Sequence, residues 1–348
     1  MKISKKVISH LTKCYSIAPL IYEGKQHILV AAEKQDPCYL FDENGDRVDT
    51  IWEQPGGVMS MVQVPNTNGQ FLATHKFYSP NDSKEAKIVI VTPIKKGDWE
   101  IRTLVVLPHV HRFDIVERNG IHYLIACALK SGHEYKGDWS YPGKVYAAVL
   151  PEDLSEFSED NQLKLKVIKD NMLKNHGYYK VKEEGIDTCV ISCDNGVFQF
   201  IPPEKKEGEW EIKQLISTPA SDGVLVDMDN DGEKELAIIS PFHGEKIEFY
   251  KKKDGNYEKI YEYGEPAEFS HSIYGGILYG KPVIIIGHRE GKRNIILFTY
   301  NMETQRYETE LIDEDCGSAN VFKYEVDGKE VLISTNREID EVAMYTFE

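Results

Sequence analysis

The sequence predicts an all-β protein, a seven-bladed β-propeller closed by its N-terminal strand. Three observations predict it. First, short runs rich in Val, Ile, Tyr and Phe fill the chain, such as His27–Val30, Lys87–Val91, Tyr123–Ala126 and Pro282–Ile286, and Gly, Asn and Asp punctuate them. Second, turn glycines recur at Gly24, Gly69, Gly120, Gly185, Gly232, Gly280 and Gly328, with spacings of 45, 51, 65, 47, 48 and 48. Units of about 50 residues, each an inner strand, a glycine turn and three further strands, fit propeller blades. Third, the ends complement each other. The last unit stops after its third strand, Val342–Phe347, while Ser4 to Leu11 precedes the first inner strand and has no other role. That segment would supply the missing outer strand and remove an open edge.

The expected blades are 12–55, 56–108, 109–174, 175–220, 221–267, 268–315, and 316–348 joined by 1–11, all in one domain. The spacing of 65 marks an insertion in blade 3, Ser131 to Gly143, between its second and third strands. A smaller insertion follows near Ser155 to Gln162. Long loops inside a compact domain often carry function. Glu152 to Asn161 is the best helical candidate in the chain, and its period is poor.

Composition limits the partners. The 348 residues are 41% hydrophobic, enough for a packed core, and 41 basic against 57 acidic side chains give a formal charge of −16. That balance argues against a nucleic-acid partner, which needs a basic footprint. No apolar run suggests a signal peptide or a membrane span. Six scattered cysteines without a Cys-x-x-Cys pair read as reduced thiols, so a cytoplasmic location is expected. Signatures of serine hydrolases, P-loop enzymes, zincins and dinucleotide-binding enzymes are absent.

Propeller topology places inner-strand starts and second-strand ends on one face. Eight of the eleven histidines fall there: His75, His109, His111, His133, His176, His243, His271 and His288. His111, His176 and His271 each lie nine residues before a turn glycine, and Asp222 lies ten before Gly232. Four side chains at one register of a radial repeat point at one axis. Three neutral imidazoles from rigid strands suit a divalent transition metal, zinc or manganese, with an open position for substrate. Asp222 would be a fourth ligand or would fix a tautomer from behind. The plainer reading is a hydrated polar channel without metal. His75, His133, His243 and His288 are the candidate bases. Lys76, Arg112, Lys130, Arg289 and Arg337 would hold an anion such as a carboxylate. Trp139 and Tyr141 would stack on a sugar ring, or else pack the insertion onto its blade.

A separate motif runs from Asp227 to Glu235 in the pattern D-x-D-x-D-G-x-x-E. Alternating carboxylates and a glycine bend suit Ca²⁺. It resembles the calcium loops of FG-GAP/VCBS propeller repeats, though it ends in Glu235 instead of Asp. Asp227, Asp229, Asp231 and Glu235 would be structural ligands on the face away from the histidines. As architecture, with inner-strand His111, His176 and His271, the chain also resembles metal-dependent propeller lyases such as aldos-2-ulose dehydratase and oligogalacturonate lyase. That resemblance implies a channel metal and β-elimination from a keto-sugar or uronate. The rivals are a non-enzymatic binding or scaffold propeller, and a metal-dependent sugar hydrolase or isomerase on the same site.

Overall fold

A computed structural model describes residues 2–183 and 185–347. Seven four-stranded antiparallel sheets stand around one axis. Six of them follow chain order from the axis outward. The seventh joins the N-terminal strand Ile3–His10 to the last strand Glu341–Phe347, and through it to Lys329–Asn336 and Ser318–Val326. The protein is thus a seven-bladed propeller closed by its N-terminal strand. The only helix among the described residues is one 3₁₀ turn, Arg337–Ile339.

The seven inner strands are Cys14–Tyr22, Met61–Gln63, Val110–Arg118, Gly177–Glu183, Asp222–Val226, Ser270–Leu278 and Ser318–Val326. Each is followed by the expected hairpin, and all seven turn glycines have positive φ, between 71° and 94°. Glu23, Asn119, Tyr279 and Asp327, just before four of them, are also left-handed. Two consecutive positive φ values make a type I′ turn, whose twist matches that of the flanking strands. Glycine takes the second position there without steric cost.

The core lies between blades. Blades 1 and 2 share a cluster containing Leu29, Leu40, Trp52, Phe71 and Trp99. Blades 7 and 1 share another, with Ile28, Phe41, Ile333 and Met344, which seals the joint where the ring closes. Residues 152–161 form turns instead of a helix. Arg102 explains the difference: its Nη1 donates to the carbonyls of Leu154, Ser155 and Phe157 at 3.3, 2.8 and 2.7 Å, taking acceptors that a helix would have used. All six cysteines are buried and unpaired. No helix among the described residues is long and apolar enough to cross a membrane.

Closure has a polar lock as well as an apolar joint. In the N-terminal strand, Ile3 faces Phe347 and His10 faces Glu341. Lys5 Nζ reaches Asp313 and Glu341 at 2.8 and 2.7 Å. Tyr345 donates to Asp313 at 2.7 Å, and Asn336 Nδ2 donates to Glu341 at 2.9 Å. Deleting residues 1–11 should strip a strand from blade 7, expose an edge, and lower the melting temperature by roughly 10 °C or more, with aggregation. An unchanged melting curve would show that the pairing contributes nothing to stability.

Candidate metal centre

The inner strands of blades 1, 3, 6 and 7 carry an irregularity at one register. Pairing steps from Cys14 to Ser16, Val110 to Arg112, Ser270 to Ser272 and Ser318 to Asn320. Tyr15, His111, His271 and Ala319 are left as the extra residues of four bulges. A bulge breaks the alternation of side chains and re-aims the one it carries. In blade 4, His176 stands at the same register just before its strand begins.

The bulged side chains meet. His271 Nδ1 lies 2.8 Å from the carbonyl of Ala319, on the next blade. His111 Nδ1 lies 3.2 Å from the carbonyl of His176, and His176 Nδ1 lies 3.1 Å from that of Ser221. A carbonyl only accepts, so each Nδ1 carries the proton and each Nε2 keeps its lone pair. Tyr15 Oη is 3.0 Å from His271 Nε2 and so donates to it. His243 Nε2 is 3.2 Å from His176 Nε2. Two nitrogens sharing a tetrahedral zinc stand about 3.3 Å apart, so this pair is already at ligand spacing.

Three histidines converge within 4.8 Å: His176, His243 and His271. This corrects the expected set. His111 is not in that group; its ring packs beside His176 at 4.4 Å between centroids and against Phe77 at 5.1 Å. His243 takes the place instead. It sits on the loop after the second strand of blade 5, in a left-handed conformation (φ 49°), and lies between Phe242 and Phe269. Asp222 stands behind His176, with Oδ2 3.4 Å from Nδ1, while the hydrogen bond of Nδ1 goes to the Ser221 carbonyl. Burial holds the pKa of His111, His243 and His271 well below the ordinary histidine value, and the neighbouring histidines and Arg112 or Arg289 add to the effect. Neutral imidazoles are what a metal requires.

The other candidate bases stand elsewhere. His75 is buried against Trp52, with ring centroids 4.7 Å apart. His133 packs on His109 at 5.5 Å. His288 spends both nitrogens on its own loop: Nδ1 donates to Glu290 O at 2.8 Å, and Nε2 accepts from Asn294 N at 3.0 Å. Most of the expected anion-binding cations are tied to the fold. Lys76 pairs with Glu85, Arg289 with Glu338, and Arg337 with Glu33 and Glu338. Lys130 is fully buried, donates to Asn81 and Asp138, and covers the ring of Trp139 at 4.7 Å. Trp139 packs on Phe242, and Tyr141 donates to Glu134. Arg112 alone of this set lines the central cavity.

That cavity, of about 440 Å³, runs down the axis from His271 and Asp222 past Arg112 and Asn320 to Asp114 and Lys180. Residues of all seven inner strands or their leading loops line it. Two residues were not among those expected: Lys180 in the cavity wall, and Tyr15, which reaches His271 beside it. Tyr15 had a signal, since it lies nine residues before Gly24, in the histidines' own register. Lys180 had none.

No family model matches the chain, and no curated protein matches it. Its likeness is to solved structures. A structure of the Dos1 propeller is 7% identical, with a TM-score of 0.55 over 92% of this chain and 75% of that one. A streptogramin B lyase structure is 16% identical, with a TM-score of 0.55 over 99% of this chain and 97% of that one. At such identities the likeness is one of fold.

The acidic loop holds a cation of the protein's own. Lys251 Nζ lies 2.5 Å from Asp229, 2.7 Å from Asp231 and 2.8 Å from Glu235, where the resemblance placed calcium. Burial disfavours the charge on Lys251, but three carboxylate hydrogen bonds outweigh it and raise its pKa. Asp227 accepts from the N–H groups of Asp231 and Gly232 and still stands with Asp229 and Glu235 in one carboxylate group. Calcium needs six to eight oxygens; Asp227, Asp229 and Glu235 bring ligand atoms within 4.8 Å of one another, and the Lys251 ammonium competes for two of these carboxylates. Calcium should therefore leave the parent's melting temperature unchanged. Lys251→Met should cost roughly 3 kcal/mol by leaving carboxylates unpaired, and added calcium should restore part of it in that variant alone.

Buried neutral histidines also set an acid limit. Burial first, then Lys87 and Lys76, lowers His75 to about 3. A folded pKa below the unfolded value of about 6.5 means that the unfolded chain binds more protons. The stability is complete above about pH 6.5 and is lost as pH falls from there towards 3. Each such group contributes about 1.4 kcal/mol per pH unit in that window. Denaturant midpoints at pH 7 and pH 5 should differ less in His75→Phe than in the parent.

Proposed function

We propose that the protein is a metal-dependent lyase or dehydratase that performs β-elimination on a keto-sugar or uronate at the histidine end of its channel. The convergence of His176, His243 and His271 carries this reading. Three nitrogen ligands from separate elements, with space left towards a cavity, make the donor set of a catalytic zinc or manganese site. Such an ion acts as a Lewis acid on a carbonyl or carboxylate oxygen and lowers the pKa of the adjacent C–H. The carbonyls of Ser221 and Ala319 keep Nε2 of His176 and His271 unprotonated, and an ion would displace the Tyr15 hydroxyl that His271 Nε2 otherwise accepts. Arg112 would hold the substrate carboxylate, its guanidinium lying in the cavity wall. His111 has a neutral imidazole with Nε2 unprotonated and would take the α-proton. Tyr15 O–H would protonate the departing hydroxyl, which leaves as water. The fold is also the scaffold of a protein named a lyase, the streptogramin B lyase.

A second reading has one observation in its favour. Tyr15 already donates to His271, and an Nε2–H on His243 can donate to His176, so the ring can satisfy itself without an ion. A polar binding propeller would look the same.

Metal analysis separates the two. The purified protein should take up one Zn²⁺ or Mn²⁺ per chain. Alanine at His176, His243 or His271 should weaken binding by more than the roughly 10–100-fold that a lost supporting contact costs. Tyr15→Phe should keep its metal and lose turnover in a screen of uronates and keto-sugars. A parent that binds no transition metal on titration would favour the binding propeller.

A further inference from the structure

The histidine ring is covered on its own face and open from the other. Phe77 packs on His111 and Phe242 on His176, with ring centroids at 5.1 and 5.3 Å. His243 lies between Phe242 and Phe269 at 4.0 and 4.3 Å. Trp139, from the blade 3 insertion, backs Phe242 at 5.3 Å. Along the cavity wall, exposure rises away from the histidines. Ser16, Met59, Asp222 and His271 are 1–3% exposed. Ile17, Ile273 and Phe322 are half-buried, and Pro19 at the far end is exposed. The mouth is therefore on the face where the inner strands end.

One cation in that wall has no carboxylate partner among the described residues. Arg112 donates to Met59 O at 2.8 Å and to Asn320 Oδ1 at 3.3 Å, both neutral acceptors. Lys180, the next cation along the wall, is answered by Asp114 at 3.0 Å. Arg118, Arg289 and Arg337 likewise have acidic partners. A guanidinium has five N–H donors in a planar fork suited to a carboxylate. Three of the five on Arg112 have no protein acceptor, in a wall that also holds Met59, Ile273 and Phe322. Its other neighbour is the face of the Tyr15 ring, 5.7 Å from Cζ, which takes no N–H of the fork and leaves those donors for a ligand.

We infer that the cavity binds a small organic acid that enters from the face opposite the histidines and sets its carboxylate on Arg112. Apolar wall residues then cover its carbon skeleton, and the carbons next to the carboxylate face His271 and Asp222. The step to chemistry rests on the lyase reading, while the binding step does not. The sequence places the site at the histidine-rich end of the channel; the aromatic cover there puts its entrance on the other face.

The probe is 8-anilinonaphthalene-1-sulfonate, an aromatic anion whose fluorescence rises on entering apolar sites, used with the full-length metal-free chain. One equivalent should bind, and Arg112→Gln should weaken it at least tenfold. Ile273→Trp, which fills the lower channel, should do the same. Phe269→Ala, on the covered face, should bind within twofold of the parent. D-Galacturonate should displace the probe and D-galactose should not, since they differ in the carboxylate. Equal binding by Arg112→Gln, or displacement by both sugars or by neither, overturns the inference. Should Ile273→Trp fail to fold by circular dichroism, Arg112→Gln, which adds no volume, carries the test. Metal content is measured separately, so losing the lyase reading would leave this result standing, and the reverse.

Discussion

Seven twisted sheets can surround an axis only if the first and last are held together, and here a single blade does this with strands from both ends of the chain. Ile3–His10 pairs with Glu341–Phe347 along its length. The cost of ordering this long loop closure is met at that joint, by the ladder, by the apolar cluster of blades 7 and 1, and by Lys5 between Asp313 and Glu341. Everything at the axis depends on it. Tyr15 and His271 come from blades 1 and 6, which are 256 residues apart in the chain and reach hydrogen-bond distance only because blade 7 spans the gap between them.

The fold was legible because its signals are local. A left-handed hairpin turn needs glycine, so Gly24 to Gly328 could be counted from composition and spacing. The inner-strand histidines were legible for the same reason, since each stands at a fixed offset from its glycine. The ligand set was less so. His243 belongs to no inner strand, and its arrival at the axis depends on a loop held between Phe242 and Phe269. Tyr15 shares the register, but a search for histidine and carboxylate passes over a phenol. His111 has the right register but stands outside the group of three, its ring tilted against His176 and edge-on to Phe77.

Lys251 shows a different limit. The Asp227 to Glu235 loop reads as a calcium loop when only its own residues are considered. Its cation comes from the third strand of the same blade, two strands out from the axis, and nothing in the motif's spacing refers to it. Glu235 is fully buried, and burial raises its pKa, so the loop needs a positive partner to keep its charges together. A covalently attached ammonium provides that without a supply of ions.

The ring's chemistry and its architecture are coupled through one repeated bond. Each inner-strand histidine donates Nδ1–H to a backbone carbonyl on the next blade: His111 to His176, His176 to Ser221, His271 to Ala319. The acceptor is main chain, so its position is set by where the next blade stands and not by a side-chain rotamer. Blade spacing therefore fixes which nitrogen of each imidazole is free, and all three leave Nε2. A side-chain acceptor could rotate away and let the tautomer change; a carbonyl in an adjoining sheet can move only with that sheet. Histidine lone pairs held in this way are prepared for a ligand before it arrives, and the cost of orienting them is met by folding. The same rigidity explains why the cover over the ring can be a loop. Phe242 and His243 can sit on a loop because the two histidines they close upon, His271 within its strand and His176 just before one, are already held by carbonyls of the next blade.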